Sequence, residues 1–107
     1  MTRSDDKRIS DILEYADKIE LAVQRGYLAF KSDEFIGPAI ERFIEILGEA
    51  ARQLSTECKA KYPNVNWVEI IGLRTRLAHI YHRIDVENIW ETATKDVPNL
   101  AREIRNS

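Results

Sequence analysis

Arg74, His79 and Tyr81 are the residues of this 107-residue chain best suited to chemistry, with Thr75, Arg76, His82 and Arg83 set around them. An arginine holds a phosphate through two parallel hydrogen bonds and stabilises charge that develops on it. Histidine is the side chain whose ordinary pKa suits proton transfer near neutrality. Tyrosine stacks on a base or donates a hydrogen bond. Together these groups suit attack of an RNA 2′-hydroxyl on its own phosphate without a metal. The same residue types also fit a plainer role, as solvated cations and a core tyrosine on a helix, and their types alone leave both readings open.

The charge distribution sharpens the choice. The chain carries a net charge of −2 at neutral pH, which argues against indiscriminate binding of nucleic acid through a basic surface. Residues 70–84 nevertheless hold three arginines, two histidines and no acid, so the remainder of the chain carries −5. The positive charge is local. His79 and His82, three apart, suit a metal from one helix face, but Asp85 is the only obvious third ligand and no cysteine is near. No metal is assigned.

The elements that must position these residues read as helices. At 107 residues the chain is expected to form one domain, residues 1–107, with 44% apolar and 32% charged residues as in globular proteins. Three prolines and four glycines leave little material for the many turns of a sandwich or barrel. Ile9, Ile12, Leu13, Ala16, Ile19 and Val23 form one helical stripe, with Ser4 as its N-cap, Asp5 and Asp6 in its first turn and Gly26 as its stop. Residues 27–36 read as a connection with room for a short helical turn. Gly37 and Pro38 open a second helix, with a stripe of Ile40, Phe43, Ile44, Leu47, Ala51, Leu54 and Cys58, ended by Tyr62 and Pro63.

Asn66, with Glu69 three residues on, resembles a capping box for a third helix carrying Trp67, Ile70, Ile71, Leu73, Leu77, Ala78 and Tyr81. Asp85 caps a fourth, with Val86, Ile89, Trp90 and Ala93. Pro98 either kinks that helix or starts a fifth with Leu100, Ala101 and Ile104. The expected fold is all-α, a small up-and-down bundle of four to five helices. A bundle this small gains stability by dimerising, so a homodimer is expected. Cys58, alone in the chain, cannot form an internal disulfide and reads as a small core residue. No apolar run reaches the ~20 residues of a membrane span and the N-terminal residues lack the apolar run of a signal peptide, so a cytoplasmic location is expected.

Arg74, His79 and Tyr81 together match the R-x4-H-x-Y pattern of HEPN ribonucleases, and their surroundings resemble the HepT-like toxin branch. Gly48, Glu49, Ala50 and Ala51 resemble that branch's signature in the second helix. Residues 66–74 resemble its lead-in to the motif, and residues 84–90 and 96–100 its tail. The resemblance covers essentially the whole chain. It implies a HEPN-like homodimer in which Arg74 binds the scissile phosphate and His79 is the general acid or base. It implies a partner as well, an MNT-type nucleotidyltransferase antitoxin that silences the toxin by transferring AMP to Tyr81. No resident cofactor is implied. One departure stands out: many HEPN proteins carry Asn, Asp or His directly after the motif arginine, where this chain has Thr75. Threonine keeps a hydroxyl for phosphate but supplies neither amide nor charge, which puts the rate in question more than the assignment.

Helix geometry bears on the mechanism. Arg74 and Tyr81, seven apart, share a helix face, whereas His79 and Tyr81 lie about 160° apart on a straight helix. One subunit cannot easily aim all three at one phosphate. Either the helix loosens near His79 or a second subunit completes the site across a two-fold axis. Thr75, Arg76, His82 and Arg83 are secondary candidates for RNA contact. Trp67 and Trp90 read as core, and Glu49 as a group that pairs with an arginine of the third helix or with water. The alternative function is a non-catalytic helical dimer that serves as binding partner of a nucleotidyltransferase.

Overall fold

Helix α1 (Arg3–Val23) buries Ile9, Ile12, Ala16 and Ile19 along one face, as the three- and four-residue spacing of these side chains requires. A computed structural model describes residues 3–78 and 86–107, with side chains for 4–73 and 86–107. After α1 come the short α2 (Tyr27–Ser32), the long α3 (Ile36–Arg52) and the short α4 (Thr56–Ala60). Then follow α5 (Trp67–Ala78), α6 (Val86–Glu91), a π-helical turn (Thr92–Asp96) and α7 (Val97–Arg105). All regular structure among the described residues is helical. The expected all-α fold is what the chain adopts, with α1, α3, α5 and the run from α6 to α7 as its four main helical segments.

Helix α3 is the centre of the packing, with α1 along one side and α5 along another. Ile40, Ile44, Leu47 and Ala51 of α3 are fully buried, together with Ile12 and Ile19 of α1. Leu73 of α5, Ile89 of α6 and Val97 of α7 complete the interior. Burying each such aliphatic side chain stabilises the fold by roughly 1.5–3 kcal/mol before entropy is counted. Tyr15 and Phe43 meet across α1 and α3 with ring centroids 5.7 Å apart. Trp67 is buried and Trp90 stands in an aromatic cluster, so both tryptophans are structural, as their spacing suggested.

Two local expectations are corrected. Ser4 is not an N-cap, because α1 already includes Arg3 and Ser4 is an exposed residue inside it. Asp5 and Asp6 do lie in the first turn of α1, as expected, and Asp5 is buried there, at 3% exposure. Its Oδ1 accepts from the Ser55 backbone N–H at 2.9 Å, and its Oδ2 accepts from the Ser55 hydroxyl at 2.7 Å. This contact explains the second correction. The helix expected to run from Gly37 toward Tyr62 breaks between Arg52 and Thr56. Ser55 turns out to be an N-cap, its Oγ accepting from the Cys58 N–H at 3.0 Å, and Asp5 takes the Ser55 N–H that a continuous helix would use. Leu54 and Cys58 remain buried across the break, so apolar spacing alone could not reveal it.

Gly26 separates α1 from α2 with φ +94° and ψ 164°, a region essentially reserved for glycine. A Cβ there would meet nothing within 4 Å, so the obstacle to substitution is the backbone alone. Gly26→Ala is expected to cost on the order of 1–3 kcal/mol in chemical denaturation, with the helical content of the native state unchanged.

Pro98 stands in the first turn of a separate last helix, the second of the two roles the sequence left open for it. The preceding π turn, in which the Val97 N–H reaches the Thr92 carbonyl, widens the spiral just before the proline. That turn relieves the clash of a proline ring with the carbonyl one turn back, and Pro98 then sits in the first turn of α7. Arg105 bonds Asp17 at 2.8 and 3.0 Å and joins α7 to α1, an exposed pair that adds little stability by itself.

Candidate active site

Helix α5 carries the first half of the motif, and its start is fixed at three points. The Glu69 N–H donates to Asn66 Oδ1 at 3.1 Å, the side-chain cap that the Asn66 and Glu69 spacing predicted. The Trp67 indole N–H donates to the Lys59 carbonyl at 3.1 Å, and its ring meets Tyr62 edge-on at 6.2 Å. Ile70 and Leu73 are buried beneath the helix, while Val68 and Glu69 face solvent. The rotation of α5 about its axis is therefore set before the motif begins.

Position 74 follows buried Leu73 directly and lies one turn beyond Ile70 and two beyond Trp67. Thr75 and Arg76 follow on the same helix. The side chains of Arg74, Thr75 and Arg76 are outside the described residues, and so are His79, Tyr81, His82 and Arg83, together with the expected cap Asp85. The convergence of Arg74 and His79 therefore stands as a proposal below.

What can be described is the frame on both sides of the motif. On one side α3 packs along α5. Within the Gly48 to Ala51 signature, Gly48 and Ala51 are buried and Glu49 is half-buried. Glu49 accepts from the Arg52 guanidinium at 2.6 and 3.1 Å and from the Gln53 amide at 2.9 Å. That hydrogen-bonded charge pair raises the pKa of Arg52. The Glu49 pairing with an arginine of α5 that the sequence suggested concerns side chains outside the described set.

On the other side the chain re-enters at Val86, where α2 holds α6. The Tyr27 hydroxyl donates to a Glu87 carboxylate oxygen, and this bond is the main reason the Tyr27 pKa is raised. Trp90 packs on Tyr27 and Phe30, with centroid distances of 5.3 and 5.1 Å. Neither the Glu87 contact nor the Asp5 strut was visible in the sequence. Each joins residues 50 or more positions apart, and no local pattern encodes such a pair.

Among the described residues, no group of three His, Cys, Asp or Glu side chains is placed to hold a metal ion. Nor is any described helix long and apolar enough to cross a membrane.

Comparison with known proteins gives the motif its context. Residues 12–107 match the family model "Ribonuclease HepT-like". The chain is 40% identical over 95 residues to "Putative RNase MJ1380" of Methanocaldococcus jannaschii, covering 88% of this chain and 87% of that protein. It is 34% identical over 94 residues to "Putative RNase MJ1216" of the same organism, covering 87% and 78%. It is also 32% identical over 104 residues to "Probable ribonuclease HepT" of Thermococcus cleftensis, covering 94% and 92%. No solved structure matches the chain.

Proposed function

The chain belongs to the HepT-like ribonuclease family, and on that premise we propose that it is a metal-independent endoribonuclease, the toxin of a HEPN/MNT toxin–antitoxin pair. The observation that carries this reading is the coincidence of motif and context. Arg74, His79 and Tyr81 stand in R-x4-H-x-Y spacing inside a family match that spans residues 12–107. The whole chain acts as one domain in the cytoplasm.

In the proposed reaction Arg74 binds the scissile phosphate of RNA and stabilises the charge that builds on its oxygens. His79 moves the proton, either from the attacking 2′-hydroxyl or to the departing 5′-oxygen. A two-fold dimer supplies the two groups from facing copies of the motif segment, which removes the angular conflict on a single helix. Thr75, Arg76, His82 and Arg83 contact the RNA backbone on either side. The acid-free run over residues 70–84 supports this, because it places cations where a polyanion must dock on an otherwise acidic chain.

Tyr81 is the proposed regulatory group. A nucleotidyltransferase partner transfers AMP from ATP to the Tyr81 phenolic oxygen: an O–P bond to the α-phosphate forms, pyrophosphate leaves, and the phenol proton is released. The added phosphate and nucleoside place bulk and negative charge beside Arg74, where they compete with RNA. Co-expression with the cognate nucleotidyltransferase, followed by intact-mass measurement, tests this. The chain is expected to gain one or more AMP masses and to lose RNA cleavage, and Tyr81→Phe is expected to prevent both. An unmodified mass in the presence of active partner and ATP would remove the regulatory role.

A further inference from the structure

Between α1 and α3 lies a cleft of about 350 Å³, with Arg8 and Asp11 on the α1 side and Arg42, Glu45, Glu49 and Gln53 on the α3 side. Ala50 lines it as well, so two residues of the Gly48 to Ala51 signature border a cleft that the proposed reaction does not use. Its volume is at the small end of those that hold a small molecule.

The carboxylates of the cleft already hold cations. Asp11 accepts from Lys7 at 2.8 Å, Glu45 from Arg42 at 3.3 Å and Glu49 from Arg52 at 2.6 Å. Arg8 differs. Its side chain is half-buried, and its Nε–H is buried with no hydrogen-bond partner among the described residues. A buried donor without an acceptor carries its full desolvation penalty, and nearly all such groups in folded proteins are paired. An exception at the wall of a polar cleft is expected where the acceptor arrives with a ligand.

The chemistry of that ligand follows from the rest of the cleft. A guanidinium fork matches phosphate through two parallel N–H bonds. A carboxylate that has taken one donor keeps lone pairs for others, so Asp11 and Glu45 suit the hydroxyls of a ribose. One polymer brings both groups. We propose that the α1–α3 cleft is a subsite for a nucleotide of the RNA strand away from the cut, with its backbone phosphate on Arg8. This inference rests on the ribonuclease reading given above and extends it to a helix that carries no part of the motif. Helix α3 joins the two places, because it walls the cleft and also packs along α5, and packed helix axes lie about 8–10 Å apart. A protein carboxylate is the weaker occupant, since it brings no donor for Asp11 or Glu45.

Binding of a labelled single-stranded RNA to the full chain tests the proposal, in a His79→Ala background that leaves the strand uncut and with circular dichroism to follow the fold. Arg8→Met is expected to weaken binding by about tenfold at low salt. It is also expected to lessen the slope of log affinity against log salt by about 0.7, as loss of one phosphate contact on a single strand requires. Lys31→Met, which removes a cation from α2, is expected to change affinity by less than about twofold. Because the Arg8 Nε–H has no partner to lose, Arg8→Met is expected to keep or raise the melting temperature of the free chain. Unchanged affinity and slope in Arg8→Met overturn the subsite while leaving the ribonuclease reading intact. An equal loss in Lys31→Met reduces the effect to net charge, and a lowered melting temperature makes Arg8 a residue of the fold; either result overturns the subsite too. A parent chain that binds no RNA removes the subsite and the ribonuclease reading together.

Discussion

Replacing His79 by alanine is expected to lower RNA cleavage by about 10²- to 10⁴-fold, the range that a positioned general acid or base contributes. The loss is expected in kcat, because in the proposed reaction the imidazole acts on a proton in flight and Arg74 carries the phosphate. Folding should be unaffected. The buried side chains that hold α5, Trp67, Ile70 and Leu73, all precede the motif, and α6 is held independently through Trp90 and Glu87. The variant is therefore expected to keep the helix content and melting temperature of the parent, and to bind the nucleotidyltransferase partner as well as the parent does. Single-turnover cleavage of a labelled RNA measures the effect. Cleavage and toxicity that survive the substitution would favour the alternative role, a helical dimer that binds a nucleotidyltransferase without cutting RNA.

The second large effect falls on stability and arises far from the motif in sequence. Asp5→Ala removes a buried carboxylate that accepts both the N–H and the hydroxyl of Ser55. Ser55 in turn caps α4, whose Cys58 is fully buried in the core. Hydrogen bonds to a charged group contribute more than neutral ones, and a buried donor left without its acceptor carries the full desolvation penalty. The expected cost is about 3 kcal/mol. For a chain of this size that lowers the melting temperature on the order of 10 °C or more. Asp5→Asn keeps an acceptor for one of the two bonds and is expected to recover about half of the loss. Equilibrium denaturation of the three chains decides the matter, and a cost under about 1 kcal/mol for Asp5→Ala would show that the carboxylate is no strut.

The contrast between Asp5 and the helices shows which physical signals a sequence carries. The stripes of α1, α3 and α7 were legible because burial repeats every three or four residues, and the structure buries most of the side chains that the spacing picks out, with Leu13, Val23 and Phe43 partly buried at the edges. The cap at Asn66 was legible because its partner lies only three residues away. The break at Ser55 was not, since apolar spacing continues through it and its cause, Asp5, is 50 positions distant. The motif is a different kind of case. Arg74, His79 and Tyr81 were legible by type and spacing, but neither of those distinguishes a nuclease from a solvated helix face. The surrounding resemblance supplied the distinction, and the family match over residues 12–107 supports it.

The central claim is that a guanidinium and an imidazole, with no metal ion, turn an RNA 2′-hydroxyl against its own phosphodiester. The most direct measurement is to incubate the purified chain with RNA in excess chelator and determine the chemical ends of the fragments. The account predicts cleavage undiminished by the chelator, with 2′,3′-cyclic phosphate on one fragment and a free 5′-hydroxyl on the other. Cleavage that stops in chelator and returns with a divalent cation, leaving 5′-phosphate and 3′-hydroxyl ends, would contradict it.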